Sequence, residues 1–233
     1  MKIDKIQDFS LKDIVLISSL PDMGKVGGIV TQHLTKELKT KKAAKIILTD
    51  KPWVTLKKGL IDLPHDEYEL TVDEKNSIVV FTGENQPQEP ASVFEMANFV
   101  LSTVSKMGNI KMVISTGGYL PGKSGNGEKV FGVATNSSLL KNLSEQKVKP
   151  LSSEVNSITW FNGLILGLGK NQNIDGIGLF GEIVNPETPQ FQAASNIIKV
   201  IAKMLQLNID TSELDKKIIK KPVEPKKEGP GIG

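Results

Sequence analysis

The stretch Asp13-Ile14-Val15-Leu16-Ile17-Ser18-Ser19-Leu20-Pro21-Asp22-Met23-Gly24-Lys25-Val26-Gly27-Gly28 decides how this sequence folds. Ile14 to Ile17 is apolar at every position rather than at alternate ones, the pattern of a strand covered on both faces. Leu20 to Gly24 supplies a proline and a glycine for a tight turn, after which Val26, Ile29, Val30, His33, Leu34 and Leu38 recur at helical spacing. A doubly buried strand that turns straight into an amphipathic helix opens a βαβ unit, so the expected class is α/β.

The flanking sequence continues that rhythm. Lys45–Thr49 and Ser77–Phe81 read as further strands, and residues 53–72, interrupted at Gly59 and at Pro64-His65-Asp66, as short strands or a hairpin. Behind Glu89-Pro90, the spacing of Val93, Ala97, Val100, Leu101 and Val104 predicts a helix that Gly108 ends, and Ile110–Ser115 returns to strand. Val130–Ala134 reads as a strand, and Thr135-Asn136-Ser137-Ser138 offers caps for a helix through Leu143. Ile158–Gly169 reads as a Gly-rich helix and Gly176–Gly181 as a buried strand. Thr188-Pro189 reads as the N-cap and first residue of a helix whose apolar face runs from Phe191 to Leu205, and Asp210 with Glu213 as a capping box for a last short helix. One domain, residues 1–219, is followed by a Lys-, Pro- and Gly-rich tail, 220–233, expected to be flexible.

Composition narrows the function classes. A chain of 233 residues, 39% hydrophobic, builds one substantial core. It has no cysteine, which excludes disulfides, thiolate catalysis and Cys-type zinc sites. All 29 basic residues are lysine, so neither a bidentate guanine contact nor a planar phosphate clamp is available, and no nucleic-acid partner is expected. The net charge of +3 belongs to the end of the chain, where Lys216, Lys217, Lys220, Lys221, Lys226 and Lys227 outnumber Asp215, Glu224 and Glu228. The first eight residues alternate charge with apolar side chains, and no stretch reaches the roughly 20 apolar residues of a spanning helix. The expectation is a cytoplasmic protein with no membrane association.

Two strings imitate nucleotide-binding motifs. Gly117-Gly118-Tyr119-Leu120-Pro121-Gly122-Lys123-Ser124 spells the P-loop pattern, but Gly125-Asn126-Gly127-Glu128-Lys129 and a strand follow where a phosphate-facing helix is required, so it reads as a long hairpin tip. Gly176-Ile177-Gly178-Leu179-Phe180-Gly181 spells G-x-G-x-x-G inside an apolar run, with no ribose-binding acid about 20 residues on, and reads as close strand packing. His33 and His65, the only histidines, read as ordinary helix-surface and turn residues, and Asp66-Glu67 and Asp73-Glu74 as surface carboxylates, so no triad and no metal site is expected. Two loops at strand ends stay open between packing and ligand binding. They are Gly24, Lys25, Gly27 and Gly28 ahead of the first helix, whose N–H groups suit an anion, and Glu84 and Gln86 after the 77–81 strand.

Taken in order, Leu20-Pro21-Asp22-Met23-Gly24-Lys25-Val26-Gly27, Gly83-Glu84-Asn85-Gln86-Pro87-Gln88, Gly117-Gly118-Tyr119, Gly132-Val133-Ala134-Thr135-Asn136, Gly163 to Leu168 and Gly178-Leu179-Phe180-Gly181-Glu182 resemble the proteasome assembly chaperone 2 family in its archaeal-type branch. The resemblance covers nearly the whole ordered chain. It implies a three-layer α/β sandwich around a mixed, largely parallel sheet of the phosphorylase/hydrolase type. It also implies homo-oligomers and binding to proteasome core-particle subunits, chiefly of α type, with no catalytic residues and no cofactor. The apolar, Gly-rich region Ile158–Gly181 is the part expected to be covered by another copy. Chaperones of this type dock by a terminal motif with a penultimate tyrosine, whereas this chain ends Gly231-Ile232-Gly233, so Ile232 stands in the tyrosine position. Residues 220–233, if extended, span roughly 45 Å at about 3.3 Å per residue, and Lys220, Lys221, Lys226 and Lys227 favour an acidic surface. The expectation is a non-catalytic protein-binding chaperone; the alternative is a phosphate-ligand-binding enzyme or nucleotide sensor, which the same fold class also houses.

Overall fold

The computed structural model describes residues 1–122, 125–151 and 155–218. The first half of the chain runs β1 (Lys2–Lys5), β2 (Ile14–Ser18), a 3₁₀ turn (Met23–Lys25), α1 (Val26–Glu37), β3 (Lys41–Leu48), β4 (Thr55–Lys57), β5 (Leu60–Asp62), β6 (Asp66–Asp73), β7 (Ile78–Gly83) and α2 (Pro90–Met107). The second half runs β8 (Ile110–Tyr119), β9 (Val130–Ala134), α3 (Ser137–Glu145), β10 (Lys149–Pro150), α4 (Trp160–Asn171), β11 (Asp175–Glu182), α5 (Phe191–Leu205) and α6 (Ser212–Lys216).

Every residue of β2 is buried, as its unbroken apolar run requires. Ile14 and Leu16 point into one core and Val15 and Ile17 into the other, so a single strand divides the molecule into two apolar layers. β2 lies near the middle of a nine-stranded sheet in the order β1-β3-β6-β7-β2-β8-β11-β9-β10. The four central strands, β7, β2, β8 and β11, are parallel, and both margins turn antiparallel at β6 and at β9. Helices α2 and α4 cover one face, and α1, α3, α5 and α6 the other. This is the expected three-layer α/β sandwich, with its main parallel run at the centre and a short parallel pair, β9 and β10, at one margin.

Several local expectations are corrected. The 120–129 segment does not close a hairpin, because β11 lies between β8 and β9, parallel to the first and antiparallel to the second. Residues 53–72 divide into an outlying hairpin, β4–β5, and the full sheet strand β6. Helix α5 begins at Phe191 with Gln190 as its cap residue, because Gln190 N–H is engaged by Gly24 O and holds the Thr188-Pro189 step outside the helix. Asp210 does not cap α6; it folds an Asx turn onto Ser212, while Glu213 pairs with Lys36 and Lys217. His33 is buried, not on the surface, with Nε2 2.7 Å from Asp210 O. Asp66 and Asp73 are likewise buried, Asp66 against Lys51 and Asn85, and Asp73 in a turn with Lys75 and Asn76. By contrast, the cap predicted at Asn136 forms, its Oδ1 accepting from Leu139 N at 2.9 Å. Strand β1, exposed throughout, pairs with β3 as a charged edge that gives no hydrophobic signal.

Three rings lock β6, β7 and α4 together. Phe81 stacks on Tyr68 with centroids 5.9 Å apart and meets Phe161 at 5.0 Å, all three fully buried. Phe81→Ala removes the middle ring and is expected to lower stability by about 3–5 kcal/mol, read as a shift of the urea midpoint at unchanged slope.

Candidate functional site: a cleft at the carboxyl edge of the sheet

The parallel strands deliver their following loops to one edge, where the chain must satisfy backbone groups that leave the ladder. Leu20, just past β2, has its N–H bonded to Asn162 Oδ1 at 2.8 Å and its carbonyl to Asn162 Nδ2 at 2.9 Å. The same Nδ2 donates to Thr116 O at 3.1 Å, and Ser115 Oγ donates to Asn162 O at 2.7 Å. One amide on α4 thus acts as an extra rung joining the ends of β2 and β8. Gly27, at the start of α1, packs onto this rung so closely that a Cβ there would lie 2.5 Å from Leu20 O and 2.9 Å from Thr116 O. Gly28 is pressed against Pro21 in the same way.

Asp22 stands one turn ahead of α1, before the 3₁₀ turn. Its Oδ1 accepts from Gly27 N–H at 2.9 Å and its Oδ2 from Gly118 N–H at 2.6 Å. The position an external anion would take at this helix N-terminus is therefore held by the chain's own carboxylate. Burial pushes the Asp22 carboxyl up to about 6, against the lowering effect of the N–H groups of Gly27 and Gly118. Gly24 adopts the left-handed conformation that its turn requires (φ 66°), and Lys25 follows in the same region with its side chain exposed. Gly24 also ties this loop to the next, its N–H donating to Pro186 O and its carbonyl accepting from Gln190 N–H.

Beside these loops opens a cleft of about 300 Å³. Asp22, Met23, Tyr119, Ile158, Trp160 and Phe180 are among its walls, and Gln86 stands at one side with Nε2 donating to Pro21 O at 3.0 Å. Gln86 Oε1 is buried without a partner among the described residues. Of the residues singled out in the two loops, Gln86 reaches the cleft, Gly24, Gly27 and Gly28 are packed against Gln190, Leu20 and Pro21 outside its lining, and Glu84 and Lys25 lie exposed on the same edge. The tail residues Lys220, Lys221, Lys226, Lys227 and Ile232 lie outside the described residues, as do Lys123 and Ser124. Sequence reasoning passed over Asp22, Asn162 and Trp160. Asp22 was legible as an acid one turn ahead of a helix, but nothing in the sequence brings Asn162 to Leu20, 142 positions away.

Neither glycine-rich string is arranged as a phosphate-binding loop. Gly117 and Gly118 belong to β8, no helix follows them before β9 among the described residues, and the Gly118 N–H is already spent on Asp22. Gly176, Gly178 and Gly181 are buried in β11, where a Cβ at Gly181 would collide with Ala193. No group of three or more His, Asp or Glu side chains among the described residues is placed to hold a metal.

Comparison with known proteins places this geometry among relatives. A model of the PAC2 family matches residues 16–220. The uncharacterized protein MJ1210 of Methanocaldococcus jannaschii is 27% identical over 220 residues, covering 91% of this chain and 82% of its own. MJ0106 of the same organism is 28% identical over 225 residues, covering 93% and 85%. Pyrococcus furiosus PbaB, described as an archaeal proteasome activator, superimposes with a TM-score of 0.77 at 26% identity over 93% of each chain. Pyrococcus furiosus PbaA, described as an archaeal homolog of proteasome-assembly chaperone, shares the fold with a TM-score of 0.75 at 24% identity over 93% of this chain and 91% of its own.

The raised Asp22 carboxyl has a signed consequence for stability. The fold favours the neutral acid, so folding takes up a proton between about pH 4 and 6, and stability declines as pH rises through that window, by at most about 3 kcal/mol. Urea unfolding of wild type and Asp22→Asn from pH 4 to 7 is expected to show this decline in the difference between the two proteins. Parallel profiles would assign the titration to another group.

Proposed function

This chain belongs to the PAC2 family, and on that premise we propose that it is a non-catalytic, protein-binding chaperone assisting assembly of the proteasome core particle. The observation that carries this reading is the family match across residues 16–220, joined to the likeness to PbaB over nearly the whole of both chains. The carboxyl edge supports it chemically, since its helix N-terminus is closed by Asp22 and what remains is an apolar cleft of the kind that takes up side chains of a partner. The partners proposed are core-particle subunits, chiefly of α type, and further copies of the chain itself. No cofactor, nucleic acid or membrane enters the reading, and no helix among the described residues is long and apolar enough to cross a bilayer. The proposed compartment is the cytoplasm.

Within this reading the folded surface provides most of the affinity. The lysines of the tail, Lys220, Lys221, Lys226 and Lys227, assist by attraction to an acidic surface, each exposed pairing worth about 0–1 kcal/mol and weakened by salt. Ile232 fills at most a small apolar recess, without the hydroxyl that orients a tyrosine.

The test is binding to isolated core-particle α subunits at two salt concentrations. Deleting residues 222–233 is expected to weaken binding modestly, and less so at high salt, while Ile232→Ala leaves it almost unchanged. Abolition by Ile232→Ala at both salts would make the tail a specific anchor. Absence of binding by the intact chain would remove the chaperone reading altogether. Titration with ATP and magnesium is expected to give no binding heat, because the loop that spells a P-loop leads to no helix N-terminus.

A further inference from the structure

The β4–β5 hairpin is the least explained part of the molecule. It stands apart from the nine-stranded sheet as a two-stranded ribbon, exposed at every residue. Its pairs are Thr55 with Asp62, Leu56 with Ile61 and Lys57 with Leu60, closed by Lys58 and Gly59, which both have positive φ as a type I′ turn demands. Directly opposed residues share a face, so Leu56 and Ile61 form one apolar side, flanked by Val54 and Leu63 at the next same-side positions. All four are open to solvent, Leu56 at 72% and Ile61 at 74%. A ribbon of two strands is marginal in water by itself, and a face of this composition destabilises it further unless something covers it.

The hairpin is nevertheless held at a defined place. It connects the end of β3 to the start of β6, where Lys51 Nζ meets the buried Asp66 Oδ1 at 2.8 Å and Asn85 Nδ2 reaches the same oxygen at 2.8 Å. Asp50 Oδ2 accepts from Gln88 N at 2.8 Å. These bonds tie the root of the arm to the loop that carries Glu84 and Gln86. Because β3 is antiparallel to β6, β6 to β7, and β7 parallel to β2, the arm leaves from the same edge as the cleft.

We infer that the apolar face of this arm docks in the carboxyl-edge cleft of a second copy of the chain, so that each copy completes the other's cleft. The inference deepens the self-association proposed above and rests on it. Geometry favours a second copy as the occupant. The arm is rooted at β3/β6 and the cleft lies by β2/β8, about 14 Å away at three strand spacings. A two-fold axis normal to the sheet and midway between them brings each arm to the other copy's cleft at once, an isologous contact that closes after two chains. Chemistry agrees with geometry. The cleft walls of Met23, Ile158, Trp160 and Phe180 match Leu56 and Ile61, while Lys58 at the tip meets an edge that carries the exposed Glu84.

The test uses the full chain. Light scattering at micromolar concentration is expected to give wild type a multiple of 25.3 kDa, and the double variant Leu56→Asp/Ile61→Asp a single-chain mass that still melts in one cooperative transition. Since the sequence has no cysteine, a chain with Ile61→Cys mixed with a chain carrying Trp160→Cys reports the contact directly. The mixture should oxidise to a disulfide-linked dimer much faster than either variant alone, whether or not the aspartate variant folds. A wild-type oligomer whose mass survives the double substitution, or no preferential crosslinking in the mixture, overturns the arm-in-cleft contact and leaves self-association standing. A wild-type monomer overturns both. Loss of core-particle binding by the double variant with its oligomeric mass intact assigns the arm to that partner and also overturns the inference.

Discussion

Asn162 supplies the bonds on which the carboxyl edge depends. Where β2 leaves the sheet, the N–H and carbonyl of Leu20 are buried and out of reach of the ladder, and each would cost about 1–3 kcal/mol if left unpaired. The Asn162 amide satisfies both and also the carbonyl of Thr116, with the two-sided geometry of a peptide group. That requirement fixes the start of α4 against two strands, sets Trp160 at the mouth of the cleft, and leaves space beneath α1 only for glycine at position 27. The helices on opposite faces of the sheet are thereby referenced to one point.

Once that point is set, the polar groups around it satisfy one another. Ser19 Oγ accepts from Thr116 N at 2.7 Å, Thr31 Oγ1 bridges to Thr82 Oγ1 at 2.9 Å, and Asp22 takes up the N–H groups of Gly27 and Gly118. An edge that in many α/β proteins offers free backbone donors to a phosphate is here closed from within. What it still presents is apolar and aromatic surface with a small acidic component. The buried Lys51–Asp66 pair serves the same edge differently: its desolvation makes it weak evidence for stability, but it holds the root of an exposed arm in one orientation.

The two nucleotide-like strings show how a local pattern fails without its setting. Gly117 and Gly118 of the first and all three glycines of the second lie in β8 and β11, adjacent parallel strands whose registers pair Gly117 with Phe180 and Gly118 with Gly181. They are small because neighbours approach them: Met23 O at Gly118, Ala193 at Gly181. A loop cradles phosphate only when successive N–H groups point freely at it, and an extended strand sends them to alternate sides into its ladders.

By itself the sequence determined the class of fold, because the pattern of apolar residues encodes burial locally. The unbroken run in β2, the helical spacing after Gly24 and the Asn136 cap each reflect an interaction within a few residues, and each appears in the structure where the pattern puts it. Only the tertiary structure decided what lies between strands and at their ends. It inserted β11 between β8 and β9, buried Asp66 at a position whose local sequence reads as solvent-facing, and carried Asn162 to Leu20. Those outcomes depend on groups far apart in the chain whose unpaired polar atoms meet only after the layers have packed, and no spacing along the sequence records such a meeting.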